Sequence, residues 1–230
     1  MIYITGDTHG QFDRIVKFCR KQELTQNDKF IILGDVGLNY YLNNRDVINK
    51  LRLAHLKPVF ISIAGNHEER PENIKSYQII KNDMGNFYYE PKFPNILFCI
   101  DSEVYNIENT TFLCLGGAYS VDKFYRLAYD EPWFKSEQMS DVNKNRVRQN
   151  HFGREVDYIL AHTCPYRFIP REMFIDGIEQ TTVDNSMEHF LDECYTNIKC
   201  KEWFVGHWHT NKSDSNIKFL FEDIISVPVL

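Results

Sequence analysis

Short apolar runs alternate with amphipathic stretches over the first third of the chain. Ile2–Thr5 reads as a strand, and Phe12, Ile15, Val16 and Cys19 then fall at helical spacing with charges between them. Lys29–Leu33 is a second apolar run, followed by a helix with Val47, Ile48, Leu51 and Ala54 on one face. Val59–Ala64 is the third run. This alternation predicts βαβ units and therefore a parallel sheet. From Asn86 to Ser120 the pattern changes. Ile96–Ile100, Val104–Ile107 and Thr111–Leu115 are β-rich with no helical stretches between them, which predicts hairpins or a second sheet. Ser136 is the expected cap of a polar helix running to about Phe152. Tyr158–Ala161 is a further strand, and Tyr166–Asn185 has weak periodicity and reads as a surface excursion. Met187, Phe190, Leu191 and Cys194 mark an amphipathic helix. Trp203–Val205 is the next strand, and two more near Lys218–Phe221 and Ile225–Val229 close the chain. No repeat, low-complexity segment or linker interrupts it, so one α/β domain over residues 1–230 is expected.

Composition narrows the function more than the fold. A net charge of −6 and the lack of any run of lysine or arginine argue against a duplex nucleic-acid binder, while leaving nucleotide substrates open. No apolar stretch approaches the ~18 residues of a membrane span. The first residues form a strand and not a charged leader with an apolar core, so no signal peptide is seen. Six cysteines (Cys19, Cys99, Cys114, Cys164, Cys194 and Cys200) form no CxxC pair and lie mostly in apolar contexts. Buried reduced thiols are the expectation, and the chain reads as cytoplasmic.

The chemistry lies where the strands end. The first runs into Gly6-Asp7-Thr8-His9-Gly10, the second into Gly34-Asp35-Val36-Gly37 and the third into Gly65-Asn66-His67-Glu68. Two later strands end in His162-Thr163-Cys164-Pro165 and Gly206-His207-Trp208-His209. In parallel sheets, ligands bind beyond the carboxyl ends of the strands. Asp7, His9, Asp35, Asn66, His162, His207 and His209 offer only carboxylate or amide oxygen and imidazole nitrogen. That donor set suits Mn, Fe or Zn better than a cysteine-rich structural zinc site does. Seven candidates exceed the about four to six that one ion needs, so two neighbouring divalent ions are the economical reading. Asp35, alone at its strand end, is the natural bridge, because its two oxygens point in different directions. A water bridging two such ions is acidified towards neutrality, and a phosphoryl group between them has its developing charge neutralised during in-line attack. His67, one residue past Asn66, is placed to protonate a leaving oxygen.

Taken in this order, the five motifs resemble the calcineurin-like metallophosphoesterases over about residues 1 to 209. The resemblance implies a four-layer α/β/β/α sandwich of two mixed sheets flanked by helices, with a dimetal site at the strand ends. It implies that Asp7, His9, Asp35 and His209 hold one ion and that Asp35, Asn66, His162 and His207 hold the other. His67 is then the general acid. Gly-Asp-X-His-Gly and Gly-Asn-His-Glu look most like the serine/threonine protein phosphatase branch. That branch carries Asp-Arg-Gly shortly after its bridging aspartate, whereas this chain reads Asp35-Val36-Gly37-Leu38-Asn39. Gly-His-X-His and His162-Thr-Cys-Pro look more like the broader phosphoesterase group. Phosphoproteins, nucleotides or cyclic nucleotides, and other small phosphate esters all remain open as substrates.

A phosphate dianion calls for cationic donors. Arg45 and Arg126 are the candidates; Arg126, in the loop after Gly116-Gly117, is the expected clamp together with Asn66. The alternative of another class, a phosphate-binding module without catalysis, would be marked by a missing ligand, and none is missing. His55, His151 and His189 read as helix-end or solvated histidines, and Trp133 and Phe134 as packing residues. Glu68 and Glu69 read as the first turn of a following helix.

Overall fold

In the computed structural model, which describes residues 1–174 and 180–228, the apolar runs become the strands of two sheets. The first half of the chain supplies β1 (Ile2–Thr5), α1 (Asp13–Lys21), β2 (Lys29–Ile32), α2 (Asn44–Ala54), β3 (Val59–Ser62), β4 (Gln78–Asn82), β5 (Gly85–Tyr89) and β6 (Ile96–Cys99). Then come β7 (Val104–Ile107), β8 (Thr110–Leu115), α3 (Lys123–Ala128), α4 (Asp141–His151) and β9 (Tyr158–Ala161). The chain continues through α5 (Ser186–Asn197), β10 (Glu202–Val205), β11 (Lys212–Asp214), β12 (Ile217–Phe219) and β13 (Ile224–Val227). One sheet runs β13-β1-β2-β3-β6-β5-β4, and the other β11-β12-β10-β9-β8-β7. The neighbours β1, β2, β3 and β6 are parallel, as are β8, β9, β10 and β12, and the outer pairings are antiparallel. Both sheets are therefore mixed.

Strand alternation sorts the side chains into three apolar layers. Ile2, Ile4, Ile31, Leu33, Ile61 and Ile63 point between the sheets and meet Phe112, Cys114, Leu160 and Phe204. The intervening Phe30, Ile32 and Phe60 face the other way and pack with Phe12, Ile15 and Cys19 from the α1 segment and Leu53 of α2. On the far side, Leu113, Ile159, Trp203 and Val205 lie against Val147 of α4 and Met187, Phe190, Leu191 and Cys194 of α5. Helices thus cover both outer faces, giving the α/β/β/α order. All six cysteines are free and five are buried. Among the described residues, no helix is long and apolar enough to cross a membrane.

Several local expectations change. Ser140, not Ser136, caps α4, its hydroxyl accepting from Asn143 N at 3.3 Å. Ser136 instead donates to Glu69 Oε1 at 2.7 Å and accepts at its carbonyl from Arg70 Nε at 2.5 Å. A polar helix carries no apolar phase to mark its start, so two serines four residues apart were indistinguishable. Glu68 and Glu69 do not begin an α-helix; a single 3₁₀ turn, Pro71–Asn73, follows them. The edge strand β11 is polar and escapes the hydropathy pattern for the same reason, and β4 has only the adjacent Ile79 and Ile80, which show no alternation. The last expected strand begins one residue earlier, at Ile224, and Val229 lies outside the described residues. The excursion from Tyr166 to Asn185 contains two 3₁₀ turns, Tyr166–Phe168 and Arg171–Met173, and its residues 175–179 lie outside the described residues.

Asp157, at the entrance to β9, shows how the second sheet is tied at its base. It accepts from Thr111 N at 2.9 Å, Thr111 Oγ1 at 2.7 Å and Lys201 Nζ at 2.7 Å. The Lys201 ammonium and the Thr111 donors pull its pKa from 3.8 down to about 2. Asp157→Asn is expected to lower stability by roughly 1 kcal/mol at neutral pH, a value kept small because Lys201 is half exposed. With the folded pKa depressed, this contribution is complete above 3.8 and is lost as pH falls through about 2. Urea melts of the two proteins should therefore converge across that window. A gap that persists at its lower end would contradict the assignment.

Candidate metal centre

The five motifs meet at one edge of the sandwich, where β1, β2 and β3 of one sheet face β9 and β10 of the other. Cross-sheet hydrogen bonds lock the meeting. Asp7 Oδ1 accepts from His207 N at 2.9 Å. His162 Nδ1 lies 2.6 Å from Leu33 O and, since a carbonyl only accepts, carries the proton. Its Nε2 points at Asn66 Oδ1, 2.8 Å away, and Asp35 Oδ1, 3.5 Å away. His207 Nδ1 is 3.1 Å from the same Asn66 oxygen. On the other side, His9 Nε2 and His209 Nε2 stand 3.1 Å apart, and each approaches Asp7 Oδ2, at 3.8 and 3.2 Å. Asp7 Oδ2 is buried and receives no hydrogen bond. Oxygens and nitrogens that need a positive charge between them fill both sides, which is the arrangement a divalent cation resolves. The groups Asp7–His9–His209, His9–Asp35–His67 and Asp7–Asp35–His162 each bring ligand atoms within 4.8 Å of one another. The donor set fits divalent metal.

The backbone is bent to achieve this. His9, Asp35, His207 and His209 all have positive φ, from 46° to 64°, a region non-glycine residues rarely occupy. The glycines before the donors make room for donors from other strands. A Cβ on Gly206 would stand 2.5 Å from Asp7 Oδ1, and one on Gly65 only 2.0 Å from Asp35 Oδ1. Arg14 of α1 secures the first motif from below, its Nη2 donating to Asp7 O at 2.7 Å and Phe221 O at 2.8 Å.

The charges of these side chains answer one another. Burial disfavours the carboxylate of Asp35, yet His162 holds it well below the ordinary range. Burial likewise opposes a proton on His162, but Asp35 and Asp7 lift that imidazole to about 9. His207, half-buried, is pushed down to about 3 by desolvation and by the neighbouring His162.

His67 and Arg126 arrive together. His67 N donates to Asp35 Oδ1 at 2.8 Å, and its ring packs edge-on to His9 at 5.2 Å. Arg126, on α3, is buried; its Nη2 lies 2.5 and 2.7 Å from the two ring nitrogens of His67. Its Nε donates to Asp122 at 2.8 Å and its Nη1 to Pro132 O at 3.0 Å. Arg126 therefore stands behind the His67 ring. Arg45 is not brought to the site and instead stacks on Tyr41.

Two supporting residues escaped the sequence reading. Ser120 Oγ accepts from Asn66 Nδ2 at 2.9 Å, which turns the amide oxygen towards His162 and His207. Nothing in its local sequence marks it. Glu68 is buried, accepts from Gly65 N at 3.0 Å, and is raised to about 8 by burial and by Asp35. Its place inside the Gly-Asn-His-Glu motif was the available signal. In front of the donors lies a cavity of about 590 Å³, which His67, Asp122, Phe174 and Trp208 also line.

The calcineurin-like phosphoesterase family matches residues 1–211. No match was found among curated proteins. With the ordered donor motifs, the two-sheet sandwich and a family match over most of its length, the chain belongs to the calcineurin-like phosphoesterases and is a hydrolase of phosphate esters.

Proposed function

We propose that the chain is a two-ion phosphoester hydrolase in which Asp35 is shared between the ions. Asp7, His9, Asp35 and His209 would hold one ion, and Asp35, Asn66, His162 and His207 the other. The observation that supports this most is the buried, donor-less Asp7 Oδ2 beside two facing imidazole nitrogens, with Asn66 Oδ1 and His162 Nε2 clustered across Asp35. Manganese, iron or both suit these oxygen and nitrogen donors, and zinc is the alternative. Ions held there would supply an acidified water nucleophile and would neutralise phosphoryl charge.

The protein's own groups do the rest. Asp35 accepts from the His67 backbone and so fixes that residue relative to the donors. His67 holds the proton delivered to the leaving oxygen. Burial and the Arg126 guanidinium against its ring lower the His67 pKa, which eases release of that proton, and Asn66 would face the phosphate. The physiological ester is a phosphoserine or phosphothreonine protein, a nucleotide or another small phosphate ester. With six free thiols, the enzyme fits a reducing cytoplasm, and we read residues 1–230 as one domain.

His67→Gln tests this reading. Turnover of alkyl phosphate esters, which need protonation of the leaving oxygen, is expected to fall roughly 100-fold or more. Turnover of 4-nitrophenyl esters should fall less than about tenfold, since that leaving group departs as a stable anion. Equal losses for both would remove His67 from the acid role.

A further inference from the structure

The cavity before the metal donors has a second wall with no part in holding ions. Val121, Met173, Phe174 and Trp208 form it. Val121 is 69 % exposed and Met173 46 %, high for apolar side chains at a cavity mouth. The Phe174 and Trp208 rings lie nearly parallel, 20° apart in plane and 6.1 Å between centroids. Asp122 and Gln180 complete this side, and no lysine or arginine is among the described lining residues. Arg126 stays behind His67, with Asp122 and Pro132 O occupying its other nitrogens.

We propose that this wall seats a planar aromatic substituent carried on the substrate phosphate, and that the substrate bears no second anionic group. The proposal rests on the hydrolase reading and deepens it. A further phosphate or carboxylate on this side would meet the Asp122 carboxylate, itself paired with Arg126, and no cation among the described lining residues, so its desolvation would go uncompensated. A flat ring gains in both ways that aromatic groups do, by burying area against Val121 and Met173 and by offset or edge contact with the two rings. A volume of about 590 Å³ accommodates a phosphoryl group and a substituent of nucleoside size together.

Calorimetric titration of the manganese-loaded protein with methyl-, cyclohexyl- and phenylphosphonate tests the seat without turnover. Phenylphosphonate is expected to bind at least about tenfold tighter than methylphosphonate and severalfold tighter than cyclohexylphosphonate. 4-Carboxyphenylphosphonate should lose most of the phenyl advantage. Phe174→Ala should bring the phenyl-to-methyl ratio down towards one. Equal affinity for the phenyl and methyl compounds, or a ratio unmoved by Phe174→Ala, overturns the seat. Cyclohexylphosphonate binding as tightly as phenylphosphonate overturns its planar character, and undiminished binding of the carboxyphenyl compound overturns the exclusion of a second charge. Hydrolysis of 4-nitrophenyl phosphate and of bis(4-nitrophenyl) phosphate is scored separately. Absent turnover with an intact phenyl preference would remove the hydrolase reading alone, and turnover without that preference would remove the seat alone.

Discussion

Asp35→Asn is expected to reduce kcat/KM by roughly 10³-fold or more while leaving the protein folded. The substitution keeps the side chain's shape, and an asparagine oxygen can still accept from His67 N, as Asp35 Oδ1 does at 2.8 Å. The other position changes from a lone pair to an N–H donor, and it faces a site whose remaining groups are arranged around a missing positive charge. Asp7 and Asp35 are both buried. Asp35 is paired with the buried His162, so the substitution should lower the melting temperature without metal. The signature is the change on adding manganese: the rise in melting temperature seen in the parent shrinks or vanishes in the variant. Thermal melts with and without manganese, beside kcat/KM on an aryl phosphate, check it. Full activity in the variant would contradict the bridging role.

Gly65→Ala is the second large effect, and it comes from a single methyl group. The added Cβ would sit 2.0 Å from Asp35 Oδ1 and 2.2 Å from Asp35 N. Little around it can give way. Gly65 N donates to Glu68, and the preceding residue is tied by Gly117 N to Ala64 O at 2.7 Å. The bulk would displace Asp35, whose carbonyl accepts from His9 N at 2.8 Å and so positions the first motif too. A stability loss of about 1–3 kcal/mol in urea unfolding is expected, with kcat/KM down at least about 100-fold. Near-parental kcat/KM would mean that the close approach does not position Asp35.

These two residues also mark what could be read from sequence. The apolar runs of β1, β2, β3, β9 and β10 are buried in parallel neighbours, so they stood out, and each ends in polar residues that a buried strand has no reason to carry. Asp7, His9, Asp35, Asn66, His162, His207 and His209 are accordingly brought to one edge of the sandwich. Ser120 stayed hidden because its contact with Asn66 spans 54 residues and leaves no spacing to detect. Arg126 was expected as a clamp from its loop, but its orientation behind His67 depends on Asp122 and Pro132, which only the fold brings to its other nitrogens. Polar β11 and the start of α4 lack the hydrophobic period that identifies an element, and the two adjacent isoleucines of β4 are too few to show one.

The most direct measurement is the metal content of the protein at saturation, by manganese titration followed by gel filtration and elemental mass spectrometry. Two ions per chain are expected, with one lost in His9→Ala and the other in His162→Ala, and with activity requiring both. Full activity at one ion per chain, or no retained metal at all, would contradict the two-ion centre.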